Sequence, residues 1–491
     1  MMIFAPLILF FCVLIALSIW QSKSQSQNFL SDYFLGGQSL KGFVLAMTLV
    51  ATYGSVSSFV SGPGLAWQYG LGWVVFAAPQ IITGFLVLGV LGKKLALVSR
   101  RLSAVTVIDV IRARYRCNRL ALVMSLSIIV FFFTMMVGQF IGGAQIFAQA
   151  AGIDYSAGLL LFGVVVVIYT AFGGFRAVAI TDAVCAVLML LGMFLLGHSI
   201  LDKAGGLTSV MQCLATQPGV NGEIGALLEP TSAGALPLTL LFSAWVLVGF
   251  GTMALPQSAV RCMAYRSTKD LHLAMMVGTI VCGALMIGMT LLGVLARGVM
   301  LDASEFGGNT DALIPYLIAH HMTPLTAGLT LIGPLAATMS TVSSLLIAAS
   351  SAVIKDILIH ECPQWQGDSK RLHRYSRMMT LMMGILALVL AIVPMDIIVW
   401  INMFAFGGLE MTFLWPLVLG LFWKQATAQG AMSSVIIGLI VYVVLGVTKV
   451  DLMGWHAIVP AILISLVVFV AVSLMTKIDY KDPIFFPEWK K

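Results

Sequence analysis

Met47 to Gly64 reads MTLVATYGSVSSFVSGPG, and the fold turns on this stretch. It lies in an apolar run near 41–69, long enough to cross a bilayer as a helix. A helix in lipid has to satisfy its own backbone, because no water is there to do so. Gly54 stands in a Ser/Thr cluster and Gly62-Pro63-Gly64 follows, so an interruption is expected. WVLVGFGTMALPQSAVRC, from Trp245 to Cys262, repeats the feature with Gly249 and Gly251 mid-run and Pro256 after them. Glycine in a membrane helix can also serve only close packing. Two interruptions five runs apart favour an inverted repeat, which puts ligand and ion between broken helices.

The rest of the chain agrees with a membrane setting. Of its 491 residues 60% are hydrophobic and only 10% charged. Soluble domains carry roughly 25% charge, so a soluble enzyme is excluded. Mean hydropathy is +1.02. The apolar stretches are continuous rather than alternating, which specifies helices and not barrel strands. The seven Cys show no CxxC pair, and the seven His no HExxH spacing. His320 and His321 are adjacent and point apart on a helix, so neither a disulfide framework nor a metal pair is expected.

Thirteen apolar runs are spaced along the chain, near 3–21, 41–69, 72–98, 119–148, 155–175, 178–201, 237–258, 272–297, 325–355, 377–395, 397–422, 427–447 and 455–476. The sequence thus predicts one transmembrane domain over 1–491, with a first repeat at 41–201, a second at 237–422 and a tail at 477–491 expected to be disordered. The outer loop 202–236 shows no pattern of its own, and 305–322 reads as an amphipathic loop helix outside the membrane. Of the 27 Lys and Arg, all but Lys203, Arg297 and Lys449 fall in loops on one side. That side is expected to be cytoplasmic, with the N-terminus outside and the C-terminus inside. The first run lacks a basic segment before it and an A-x-A site after it, so it reads as a retained helix.

Polar residues inside the runs supply site candidates. Ala337, Ser340 and Thr341 share one helix face. One carbonyl and two hydroxyls there, with two carbonyls freed at the 47–64 break, would give five neutral oxygens. That set suits Na⁺, whereas a divalent ion normally demands carboxylates. The competing reading has both hydroxyls bonded back to their own helix. Asp182 and Glu410 lie within apolar runs, where carboxylates are costly and are functional candidates by default. Asp182 also reads as an interfacial residue, and Glu410 as a protonated structural carboxyl. No Lys or Arg falls mid-run, so an anionic substrate would have its charge met by the ion and by half-helix N-termini. Tyr53, Ser57 and Ser58 beside the first break, Thr252 and Gln257 beside the second, and Asn402 and Glu410 are the substrate-binding candidates.

YTAFGGFRAVAITD (Tyr169–Asp182), LAATMSTVSS (Leu335–Ser344) and the 47–64 break together resemble the sodium:solute symporter family, over nearly the whole chain. The resemblance implies thirteen helices, an outside N-terminus and a five-plus-five core of the leucine-transporter type. It implies a sodium site formed by the carbonyls of Ala51 and Gly54, the carbonyl of Ala337 and the hydroxyls of Ser340 and Thr341. It links Asp182 to sodium coupling and release. Sugar-carrying relatives have Gln and Glu where this chain has Ser58 and Ala77, which argues against a sugar. LAMTLVATYGSVSSFVSGPG, QFIGGAQ, AFGGFRAV, LPQSAVRC and WINMFAFGGLEMTFLWPLVLGLFW point, within the family, to the organic anion pantothenate as substrate.

The expectation is therefore an all-α polytopic secondary transporter, not an enzyme, of a bacterial cytoplasmic membrane. It would use Na⁺ as coupling ion, work as a monomer in the bilayer, and bind no nucleic acid. The rivals are a sodium symporter for another monocarboxylate, amino acid or vitamin, a channel, and a membrane sensor. A channel usually needs rings of carbonyls or charges from symmetric subunits. The short tail leaves a sensor no signalling domain. No nucleophile–base pair supports an intramembrane enzyme.

Overall fold

The computed structural model describes residues 3–22, 29–362, 369–393, 398–448, 450, 452–478 and 481–490. Lys23, Lys449 and Lys491, counted above among the loop cations, lie outside them. Each of the thirteen apolar runs holds a helix among the described residues, and the helices are numbered here in chain order. They are α1 (Phe4–Ser22), α2 (Gly42–Tyr53, resumed at Ser57–Tyr69), α3 (Leu71–Leu102), α4 (Asn118–Ala151), α5 and α6 (the two parts of Tyr155–Lys203), α7 (Leu238–Ala254, resumed at Pro256–Ala264), α8 (Thr268–Ala296), α9 (Pro324–Ser351, continuing to Glu361), α10 (Ser369–Leu390), α11 (Ile398–Phe422), α12 (Ala428–Thr448) and α13 (Ile458–Met475). Gly174, at φ 65° and ψ −176°, divides α5 from α6. Among the described residues, eight helices, with Tyr155–Lys203 counted as one, and the two bent ones, α2 and α7, are long and apolar enough to cross a membrane. The division at Gly174, the shorter α1 and the more polar α10 account for the remaining three.

The faces follow the bilayer. Large apolar side chains such as Leu9, Val130, Phe194, Ile280, Ile385 and Val467 lie exposed on the outside of the bundle, where lipid is their solvent. Small and hydroxyl residues face inward. Gly192 of α6 lies against Gly333 of α9, with no room for a side chain between the two backbones. The pair α12–α13 stands at the edge, joined by a Ser434–Ser465 hydrogen bond of 2.8 Å.

Three expectations need correction. The loop 202–236 is not featureless. It holds a helix, Leu207–Thr216, whose Val210 and Leu214 bury one amphipathic face. The stretch 305–322 holds a helix, Leu313–His321, but this is no free loop element, since it packs on α4, α9 and the second half of α2 through Leu313, Ile314 and Leu317. The tail is ordered over 481–490, because Phe485 and Phe486 are buried. Lys94 lies 4.4 Å from the Phe486 ring centroid, and Lys424 lies 3.5 Å from Glu488.

Gly174 occupies backbone space that side chains rarely enter, and a Cβ there would lie 2.7 Å from Cδ2 of Tyr33. Gly174→Ala should therefore destabilise the fold by about 1–3 kcal/mol. Thermal unfolding of the purified protein in detergent tests this, and an unchanged midpoint would refute it.

Candidate functional site

The interruption of α2 begins at Gly54, whose extended ψ of 108° ends the first half. The second half leaves at 68° to the first. In α7, Leu255 is extended at ψ 133°, Pro256 starts the second half, and the bend is 44°. Polar groups freed at the two breaks meet each other and their neighbours. Tyr53 donates to the Thr252 carbonyl at 3.1 Å and lies 2.9 Å from the Ser258 hydroxyl, so one phenol joins both breaks. Gln139 of α4 accepts the freed Val56 N–H at 3.0 Å. The entrance to α2 is tied to the end of α7 by two backbone bonds, Leu40 N–H to Ala264 and Arg266 N–H to Leu40.

α9 lies across the α2 break. The Ser340 hydroxyl reaches the Ala51 carbonyl at 2.8 Å and the Ala337 carbonyl at 3.0 Å. The Thr341 hydroxyl lies 3.0 Å from both the Gly54 and Ala337 carbonyls. The three residues picked from spacing, Ala337, Ser340 and Thr341, and the two carbonyls implied by the resemblance, those of Ala51 and Gly54, are thus brought together. The back-bond to Ala337 exists as well, but each hydroxyl also reaches across to α2. All five residues are buried or line the break. Their donor set is neutral, matched to a hard monovalent cation rather than to a divalent one.

Asp182 is not interfacial: it is fully buried. Thr48 donates to its carboxylate at 2.7 Å and Arg261 at 3.1 Å. Arg261 corrects a second expectation, because it is a fully buried cation and not a loop residue. The bend at Leu255 carries Pro256–Ala264 through the bundle instead of out of it. The Arg261 guanidinium donates to the Gln257 carbonyl and the Ser344 hydroxyl, each at 2.8 Å, and to the Thr48 carbonyl at 3.2 Å. Thr48 and Ser344 each lie three residues from a member of the oxygen cluster, Ala51 and Thr341. The ion pair is therefore one helical turn away from it.

A cavity lies between the two breaks, α3 and α11. Tyr53, Ser57, Ser58, Gln80, Thr252 and Asn402 give it polar lining, and Trp73, Phe76, Met286 and Phe406 give it apolar walls. Among the described residues, no Lys or Arg lines it. Asn402 bonds Ser57 and also faces Gln139 at 3.4 Å. Ala77 also lines it. Two substrate candidates fall elsewhere. Gln257 is behind the α7 break and holds its carbonyl to Arg261, while Glu410 packs on Gly251 from the far side. Over the second half of α2 the loop residue Asp311 accepts from the Ile398 N–H at 3.4 Å, and burial pushes its carboxyl above the usual range. Gln80, Gln139 and Arg261 were not anticipated. A lone polar residue in an apolar run was the available signal for the two glutamines.

Residues 33–438 match the model of the sodium:solute symporter family. A sodium/pantothenate symporter of Escherichia coli (strain K12) is 43% identical over 468 residues, 94% of each chain. A sodium/pantothenate symporter of Haemophilus influenzae is 40% identical over 468 residues, 95% of each chain. A solved Na⁺-coupled sialic acid symporter, substrate-bound and outward-open, superposes with a TM-score of 0.79 at 20% identity, covering 97% of this chain and 98% of that one. A nucleobase-cation-symport-1 family transporter in a closed conformation gives 0.55 at 17% identity, covering 93% and 97%. These two likenesses speak to the fold, which is that of broken-helix transporters.

The buried ion pair yields a stability prediction. Arg261→Ala leaves Asp182 without its counter-charge and should cost about 3–5 kcal/mol, whereas removing both charges together, as in Arg261→Met with Asp182→Leu, should cost less. Thermal midpoints of the two variants decide it. A double variant less stable than the single one would contradict the pairing argument.

Proposed function

The chain belongs to the sodium:solute symporter family, and on that premise we propose that it imports pantothenate together with Na⁺ by alternating access. It is a multi-pass membrane protein and a sodium-coupled transporter. The observation that carries the substrate reading is the likeness to two sodium/pantothenate symporters over nearly the full chain. The cavity supports it: hydroxyls and amides match the two hydroxyls and the amide of pantothenate, and the apolar walls match its methyl groups.

Na⁺ sits, in this reading, among the carbonyls of Ala51, Gly54 and Ala337 and the hydroxyls of Ser340 and Thr341. Asp182 is the coupling residue, one turn toward the cytoplasm, where its pairing with Arg261 joins α6 to the second half of α7 and Thr48 of α2 bonds both partners. Tyr53, Ser57, Ser58, Thr252 and Asn402 contact the substrate, and Gln257 and Glu410 leave that list. Residues 41–201 and 237–422 act as the two repeats. The charge split supports an outside N-terminus and a cytoplasmic C-terminus in the inner membrane. The chain works without enzymatic chemistry and as a monomer.

One charge crossing ~100 mV releases about 2.3 kcal/mol. Pantothenate carries −1, so a 1:1 cycle moves no net charge, and only the Na⁺ gradient would drive it. A second cation per cycle restores the electrical term.

Replacing Ser340 or Thr341 with Ala should raise the Na⁺ concentration for half-maximal uptake several-fold, with protein abundance nearly unchanged. Wild-type Na⁺ dependence in both variants would move the ion site elsewhere. Calorimetry of pantothenate binding tests the coupling directly. Affinity should fall steeply without Na⁺, and an analogue with the carboxylate reduced to an alcohol should bind weakly in either buffer. Equal affinity with and without Na⁺ would sink the coupling. Tight binding of an unrelated acid, with none of pantothenate, would sink the substrate assignment.

A further inference from the structure

Glu410 is a buried carboxyl that neither the ion cluster nor the cavity uses. It is fully buried in α11, and among the described residues neither of its oxygens has a hydrogen-bond partner and no ion pair includes it. It presses on the α7 break. A Cβ built at Gly251 would lie within 2.7 Å of both carboxylate oxygens, so only glycine admits the group there. One turn on, Trp415 of α11 packs on Phe250 of α7 at 6.1 Å between ring centroids.

The charged and titratable surroundings are sparse. α11 itself has no other ionisable side chain, and 245–254 of α7, Ser57–Ser61 of α2 and all of α13 have none. α4 has only Arg119, at its first turn. α12 brings Tyr442, whose hydroxyl bonds the Met403 and Phe404 carbonyls. The short helix Val107–Tyr115 brings Asp109, Arg112, Arg114 and Tyr115. Arg114 and Tyr115 bond the Gly420 and Pro416 carbonyls, nearer the other end of α11.

An ionised carboxylate held there without donor or counter-ion would carry a prohibitive desolvation cost, so the group is neutral in this arrangement. A proton kept for structure would normally be donated to an acceptor. This one is donated to none, and it sits against a hinge that alternating access has to move.

We propose that Glu410 is an exchangeable proton-binding site at the α7 break, holding a proton while the break closes on it and releasing it when Gly251 moves away. The step is a simple ionisation: the Oε–H bond breaks heterolytically, the electron pair stays on the carboxylate, and water admitted at the break takes the proton. Rebinding reverses it, and no redox partner is needed. The proposal rests on the transport reading only for the motion that drives it. It makes Glu410 the source of a second monovalent cation in the cycle.

Difference infrared spectroscopy on the full-length protein tests it. The carbonyl stretch of a protonated carboxyl is followed against pH in ligand-free protein, then on adding Na⁺, then pantothenate. A band should be lost in at least one of these steps, and Glu410→Gln should abolish that change while flattening the pH profile of pantothenate uptake. A band constant through every step, or one that changes equally in the variant, overturns the proposal. Should Glu410→Gln fail to fold, Glu410→Asp keeps the carboxyl and draws it back from Gly251, and a shifted band in that variant makes the assignment. An unshifted band removes it. Parallel calorimetry separates the two claims. Na⁺ and pantothenate binding with no change in the band refutes the proton site alone. A band that responds to pH or Na⁺ without any pantothenate binding refutes the substrate reading alone.

Discussion

The constraint on which this structure depends is that backbone polar groups in a bilayer have to find partners inside the protein. Among the described residues the long helices meet it chiefly with their own turns. α2 and α7 do not, and each group they release has to be met from elsewhere. Gln139 takes the Val56 N–H, Tyr53 takes the Thr252 carbonyl, and Ser340 and Thr341 take the carbonyls of Ala51 and Gly54. Arg261 takes those of Thr48 and Gln257. The polar residues in the middle of this apolar protein are concentrated where two helices cannot satisfy themselves. A carbonyl that is free to accept a hydroxyl is also free to accept a cation, so the same requirement prepares an ion site.

Much of this was legible in the sequence because membrane helices write themselves as long apolar runs and breaks as Gly and Pro. The thirteen runs, both interruptions and the shared face of Ala337, Ser340 and Thr341 needed only periodicity. Arg261 was not legible. It comes three residues after an apolar run near 237–258, which in a straight helix would place it in a loop, and only the bend at Leu255 keeps it inside. Asp182 was ambiguous for the same reason, since its partner is 79 residues away. Gln257 was assigned to the cavity because it flanks a break in sequence, and Glu410 because it is a carboxylate within an apolar run. Flanking a break says nothing about which side of the helix a residue faces. Phe485 and Phe486 were hidden by the charged residues around them.

The pairing of Asp182 with Arg261 bears on why the cavity can be neutral. Each charge is cancelled by the other within 3.1 Å, so the pair adds little field at the cavity while crosslinking α6 to the second half of α7. A lone buried arginine would attract an anion at all times, with or without sodium. With that charge neutralised, affinity for an anion has to come from a bound cation and from the half-helix ends, which makes binding conditional on the ion.

That conditionality has a short physical path. Ala51 and Gly54 would hold the ion by their carbonyls, and Tyr53 between them reaches across to Thr252 and Ser258 at the other break. Ser57 and Ser58, three and four residues beyond Gly54, line the cavity. An ion that fixes the 51–54 backbone therefore fixes the phenol that joins the breaks and the hydroxyls that line the cavity. By reciprocity, a substrate that holds Ser57 and Thr252 in place tightens the ion by the same free energy. With the sites so placed, coupling would need no distant relay, because ligand and ion would share one interrupted turn of helix.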